Sequence, residues 1–203
     1  NGNINYNDSF IFNGTDDYFE IPANIAPQLA NSSFTIEFWT KINNNSSLNM
    51  IYVQGPDTNG NNISVYINNN NISLDFFGFG ASAPINNDSV WHHYVVIYDI
   101  TQNSNHSNAT TFYIDGTLTI NNVTSYTGAS NPTATGRVLI GKDSGGYRLN
   151  GELKLLRVYN DIKTLSEIQN NLYTYLTQNT SISTIGSIQP LFNGTINTLD
   201  FSF

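Results

Sequence analysis

From Tyr94 to Asp99 the side chains alternate, with Tyr94, Val96 and Tyr98 on one side and Val95, Ile97 and Asp99 on the other. Fourteen residues after Tyr98 comes a second run, Phe112-Tyr113-Ile114, which stops at Asp115-Gly116-Thr117-Leu118. Period-two alternation is the pattern of a half-buried strand. Asp-Gly is a two-residue turn signal, because both central positions need positive φ, which glycine adopts without strain and aspartate tolerates. The two runs therefore read as strands with a tight turn, and the roles of Asp115 and Gly116 as conformational.

The same alternation recurs in Ser9 to Phe12, Tyr18 to Ile21, Phe34 to Ile42, Met50 to Val53, Ile63 to Ile67, Ile72 to Phe77, Thr111 to Ile114, Val138 to Ile140 and Glu152 to Tyr159. Asn13-Gly14, Asn150-Gly151 and Asn193-Gly194 punctuate these runs as turns, and no βαβ spacing appears. The fold class is all-β, two antiparallel sheets packed face to face. In Phe34-Thr35-Ile36-Glu37-Phe38-Trp39 the residues Phe34, Ile36 and Phe38 face the core, which puts Thr35, Glu37 and Trp39 on the outer face. One short helix near the C-terminus is signalled by Thr164-Leu165-Ser166-Glu167, a capping box, followed by Ile168, Leu172 and Leu176 at helical spacing.

With 203 residues, one domain over 1–177 and a strand-like extension over 178–203 account for the chain, the extension packing on its own domain or on a neighbour. Phe192-Asn193-Gly194-Thr195 repeats Phe12-Asn13-Gly14-Thr15, either by coincidence or as the start of a second unit. The chain starts at Asn1 without Met, which reads as a processed form or a fragment.

Charge narrows the partners. A formal net charge of −8 with only seven Lys and Arg excludes a nucleic-acid partner, and no apolar run is long enough to insert into a membrane. There are no cysteines, so no disulfides and no thiolate metal sites. Asn makes up roughly one residue in six, far above ordinary usage. It generates about a dozen Asn-x-Ser/Thr triplets, among them Asn7, Asn13, Asn31, Asn62, Asn87, Asn105, Asn108 and Asn179, candidate acceptors in a glycoprotein.

Four segments in order resemble the concanavalin A-like jelly roll of the laminin G and pentraxin group. They are Phe10-Ile11-Phe12-Asn13-Gly14-Thr15-Asp16-Asp17-Tyr18-Phe19-Glu20-Ile21-Pro22, then Phe34 to Trp39, then the hairpin opened by Trp91-His92, then Gly146 to Asn160 with the Leu165-Ser166-Glu167-Ile168 helix. The resemblance runs from Ser9 to about Tyr175. It implies a two-sheet sandwich with one concave sheet and no catalytic role for the motif residues. It also implies calcium at a rim of carboxylate, amide and carbonyl oxygens, the donors a hard cation prefers. The matching positions are Asp57, Asn61 and Asn62 in one loop and Asp143 in another, with Lys142 standing where an acidic residue is the rule. Asp16 and Asp17 form a second candidate metal position.

Chemistry has little to work with. Related jelly-roll hydrolases carry their carboxylates as a Glu-x-Asp-x-x-Glu strand motif, and this chain has none: Glu occurs only at 20, 37, 152 and 167. There is no Gly-x-Ser-x-Gly elbow, Walker loop or dinucleotide fingerprint, and His92, His93 and His106 lack zinc-site companions. The chain reads as no enzyme. It reads as a recognition or adhesion module, secreted or displayed on a cell or virion surface, that binds a glycan or an extracellular protein. Sugar rings would stack on aromatics such as Trp39, Tyr52, Tyr66, Phe77, Phe79 or Tyr147 while amides satisfy hydroxyls. The alternative is a structural subunit of a filament, surface layer or virion fibre that self-assembles by addition of its C-terminal strand.

Overall fold

The computed structural model describes residues 9–43, 47–57, 60–78, 80–86, 89–102, 106–119, 132–178 and 198–200. In chain order the strands are β1 (Phe10–Asn13), β2 (Phe19–Ile21), β3 (Phe34–Ile42), β4 (Asn49–Gln54), β5 (Ile63–Asn68), β6 (Asn71–Asp75), β7 (Gly80–Pro84) and β8 (His92–Tyr98). A 3-10 turn (Ile100–Gln102) and the one-turn helix α1 (His106–Ala109) follow. Then come β9 (Thr110–Ile114), β10 (Thr117–Thr119), β11 (Val138–Ile140), β12 (Asn150–Tyr159), α2 (Leu165–Gln178) and β13 (Thr198–Asp200). The sheet-one order is β1-β12-β3-β8-β9-β10, with β13 also on β12; the sheet-two order is β2-β11-β4-β5-β6-β7, and every pairing is antiparallel. This is a jelly-roll β-sandwich.

Alternation builds the core. Phe34, Ile36 and Phe38 of β3, Tyr94, Val96 and Tyr98 of β8, and Ile63, Val65 and Ile67 of β5 meet between the sheets, all buried. Asp115 and Gly116 take φ of +50° and +73°, so the β9–β10 turn has positive φ at both central residues, as its sequence predicts. The Asp115 carboxylate also reaches back to β8, accepting from the His93 backbone N–H at 2.9 Å and meeting His92 Nδ1 at 2.7 Å. The tail strand β13 lies on its own domain, pairing with Arg157–Tyr159 on the part of β12 that β1 leaves open.

The outer face of sheet one is closed by α2. The capping box forms: the Thr164 N–H and hydroxyl both donate to Glu167, at 2.7 and 2.8 Å, and the Glu167 N–H donates to Thr164 Oγ1 at 3.3 Å. From that start Ile168, fully buried, lands on Val95 and Ile97. Glu37 then lies beneath the helix at 2% exposure instead of facing water as its strand position alone suggests. A buried carboxylate must be paired. Here His93 Nε2 is 3.0 Å away, Asn171 of α2 donates at 2.8 Å, and Arg157 and the Tyr159 hydroxyl stand at 3.4 Å. Arg157 reaches this face through a β-bulge between Lys154 and Arg157, where Leu155 takes φ +50° and the in–out parity of β12 flips.

Candidate functional site

The outer face of sheet two is built differently. Strand register places Glu20, Leu139, Val53, Ser64, Asp75 and Gly80 in one row across it, and Met50, Tyr66, Ser73 and Ser82 in the next. Met50, Val53 and Leu139 form a small apolar cluster against which the half-buried Tyr66 packs. Beyond it the face carries hydroxyls and amides over a groove of about 180 Å3, lined by Tyr66, Asn68, Ser73, Asp75, Gly80 and Ser82. The groove exists because β7 reads Gly-Ala-Ser-Ala-Pro: its outward positions are filled by nothing larger than Ser82 and Pro84. Gly80 is obligatory, since a Cβ there would overlap the Leu74 carbonyl.

Asp75 ends β6 at one end of the groove. Its Oδ1 accepts from the backbone N–H groups of Phe77 and of Gly78, the latter at 3.3 Å, which fixes a turn in which Phe77 takes φ +58°. Burial raises the Asp75 pKa above the ordinary aspartate value, and those two N–H donors only partly offset it. Among the described residues no donor is directed at Oδ2. The sequence marks the run Phe76 to Gly80 as a departure from alternation where glycine allows a ligand close approach, but not Ser73, Asp75 or Ser82 as site residues: the run Gly80 to Pro84 has no β-branched or aromatic residue to announce a strand, and only its pairing with β6 makes one.

The candidate calcium loops do come together. Asp57 accepts from the Ser144 hydroxyl at 2.6 Å and from Asn62 Nδ2 at 3.3 Å, so the loop after β4 meets the loop after β11. They frame a cavity of about 580 Å3 with Asp57, Arg137, Leu139 and Ser144 in its wall. The donor set does not fit calcium, which wants six to eight oxygens. Asp143 Oδ1 accepts the N–H groups of Gly146 and Tyr147, both at 2.8 Å, Asn61 Oδ1 is taken by the Thr133 hydroxyl, and Asn62 Oδ1 by the Ser64 hydroxyl. Lys142 holds its ammonium 3.3 Å from the centre of the Tyr18 ring. Asp16 and Asp17 are engaged as well, accepting from Asn13 Nδ2 at 2.7 Å and the Asn13 N–H at 3.0 Å. Among the described residues no three His, Asp or Glu side chains gather as metal ligands.

Several sequence-based candidates sit elsewhere than expected. Trp39 does point to the outer face of sheet one, but it is only 7% exposed, packed on His93, which removes it as a stacking platform. Tyr52 is in the core, its hydroxyl donating to Gln54, and burial drives its pKa upward. Asn62 is buried at 1%, so a glycan on it is incompatible with this fold. Tyr66 lies in the groove, Phe77 (48% exposed) on the turn beside it, and Tyr147 (50% exposed) on the loop that connects β11 of sheet two to β12 of sheet one. Asn13, Asn31 and Asn108 are exposed; Phe79, Asn7, Asn87, Asn105 and Asn179 lie outside the described residues. Trp91 is half-buried, with Lys154 Nζ 4.1 Å from its ring centre.

A family model described as "Concanavalin A-like lectin/glucanases superfamily" matches residues 13–169. No curated protein is similar in sequence at a significant level. Among solved structures, a heptameric SAP-like pentraxin from Limulus polyphemus is 18% identical with a TM-score of 0.56, covering 78% of each chain. The Ruminococcus gnavus IT-sialidase CBM40 bound to α2,3-sialyllactose is 16% identical with a TM-score of 0.58, covering 81% of this chain and 97% of that one. Domain 4 of the Geobacillus stearothermophilus arabinanase AbnA, in complex with arabinotriose, is 14% identical with a TM-score of 0.57, covering 80% and 75%. At such identities the likeness is one of fold.

Proposed function

The chain belongs to the concanavalin A-like lectin/glucanases superfamily, and from that premise we propose that it is a non-catalytic, extracellular recognition module that binds a glycan on the outer face of sheet two. The observation that carries this is the groove: a sheet face with one aromatic ring packed on an apolar cluster, ringed by hydroxyls, amides and a carboxylate oxygen without a protein donor among the described residues. A sugar presents an apolar ring face and hydroxyls at its edge, and this surface matches both. Support comes also from the folds it resembles, two of which were solved with oligosaccharides. The four glutamates offer no catalytic pair near the groove: Glu37 is buried beneath α2, Glu152 is paired with Lys41, Glu167 caps α2 and Glu20 is paired with Arg137.

Binding on this face is calcium-independent, because the aspartates of the rim loops, Asp57 and Asp143, lie outside the groove. Secretion or surface display is the setting in which glycan binding is useful, and among the described residues no helix is long and apolar enough to cross a membrane. The test is a glycan array with the full chain, in calcium and in chelator, beside Tyr66→Ala. Selective binding that survives chelation and is lost in Tyr66→Ala is expected; binding that disappears with chelator moves the site to the Asp57–Ser144 rim.

The assembly reading retains one supporting observation, the pairing of β13 with Arg157–Tyr159, an edge that a neighbour's tail could occupy equally well. Sedimentation of the full chain against one ending at Gln178 decides it: a concentration-dependent oligomer lost on truncation supports strand exchange, and a monomer in both argues for closure within the chain.

A further inference from the structure

Resting on the recognition reading above, we infer that the groove on sheet two selects neutral saccharides, one ring at a time, and rejects acidic ones, with Asp75 as the selecting residue. The first ground is where the charges are. Seven Lys and Arg serve the whole chain. Four belong to sheet one or to the approach to α2, where Lys41 meets Glu152, Lys154 lies over Trp91, Arg157 meets Glu37 and Lys163 meets Asp161. The other three fall between Arg137 and Arg148: Arg137 is paired with Glu20, Lys142 covers Tyr18, and Arg148 donates to the Tyr147 carbonyl. None of the seven lines the groove.

The second ground is Asp75 itself. Among the described residues it is the one charged side chain in the groove wall. Its Oδ1 is committed to the Phe77 and Gly78 N–H groups, which among the described residues leaves Oδ2 as a partly desolvated acceptor. A sugar hydroxyl donates to such an oxygen in a charge-assisted hydrogen bond, the strong kind. A sugar carboxylate or sulfate in the same place would stand against it with no cation to compensate, inside a chain already at −8. The third ground is size. At about 180 Å3 the groove is below the ~300–1,000 Å3 of sites that enclose a drug-sized ligand, which suits a single ring stacked on Tyr66 with its neighbours along the sheet left outside.

The experiment titrates the full chain, by calorimetry, with paired neutral and acidic probes: lactose against 3′-sialyllactose, and arabinotriose and galactotriose against trigalacturonic acid. It is run beside the glycan array. The expected result is binding to at least one neutral probe or neutral array glycan, with its acidic counterpart at least tenfold weaker. Ser82→Tyr, which fills the groove from a half-buried position on the edge strand β7, abolishes that binding. Asp75→Asn keeps the turn-making Oδ1 acceptor but removes the charge, so it weakens the neutral ligand while narrowing the neutral-to-acidic ratio at least threefold. Preferred binding of acidic probes, lost in Arg137→Ala and untouched by Ser82→Tyr, overturns the inference but leaves a glycan-recognition module with its site in the Asp57–Arg137 cavity. Silence across neutral and acidic glycans alike overturns the recognition reading itself.

Discussion

On sheet one the outward side chains of β3, β8 and β12 include Glu37, Val95, Ile97 and Arg157, and a helix is laid over them; on sheet two the outward side chains of β5, β6 and β7 are Ser64, Tyr66, Ser73, Asp75 and Ser82, and a groove remains. Both faces hold a carboxylate away from bulk water. Glu37 is surrounded by donors from β8, β12 and α2, so its oxygens are consumed by the fold. Asp75 has one oxygen tied to the turn it makes and the other directed at no described donor. The contrast teaches which polar residues are available for a ligand: a buried carboxylate that is fully satisfied fastens elements together, and one satisfied by half is a place for something to bind.

The comparison breaks first at Glu37. Glu37→Ala strands the imidazole of His93 and the guanidinium of Arg157 beneath α2, an expected loss of about 3–5 kcal/mol in unfolding free energy by denaturant titration, with glycan affinity per folded molecule unchanged. If Glu37→Ala is as stable as the parent chain, the helix is not fastened through this carboxylate. Ile168→Ala, which removes the helix's apolar anchor on Val95 and Ile97, is expected to cost about 2–4 kcal/mol on the same readout.

How much of this was legible depends on whether the cause is local. The β9–β10 turn, the capping box at Thr164 and the core face of β3 are written in spacing and turn chemistry, and each stands where the sequence puts it. The burial of Glu37 and Trp39 is not, because alternation tells which face a side chain takes but not what later lands on that face. β7 was invisible for the opposite reason: Gly80-Ala81-Ser82-Ala83-Pro84 has no strand propensity of its own, and the small side chains that hide it are what open the groove. Of the aromatic candidates, Tyr66 falls in the groove because it faces outward on β5, whereas Tyr52 falls in the core because β4 carries an irregularity between Met50 and Tyr52 that turns both Ile51 and Tyr52 inward.

Smaller effects sharpen the contrast. Thr164→Ala removes the helix cap for about 1 kcal/mol, lowering Tm by about 2–4 °C for a chain of this size. The donors that Thr164 gives Glu167, first its backbone N–H and then its hydroxyl, hold the Glu167 pKa below the ordinary value. A carboxylate with a lowered folded pKa stabilises above its unfolded pKa and loses that contribution as pH falls through the folded one. Thr164→Ala and the parent should therefore converge in stability on acidification, which thermal melts across the acid range would reveal. Smallest is Glu20→Gln: the Arg137 pair is exposed on both sides, so at most about 0.5 kcal/mol is expected, vanishing in salt.

The most direct measurement is an amide chemical-shift map of the full chain titrated with the tightest neutral glycan from the array. Shifts concentrated at Tyr66, Ser73, Asp75, Phe77 and Ser82, with β3, β8 and α2 silent, are the expected result. Shifts centred on Trp91 and Lys154, or on the Asp143–Tyr147 loop, would place recognition on a different surface and contradict the assignment of the groove.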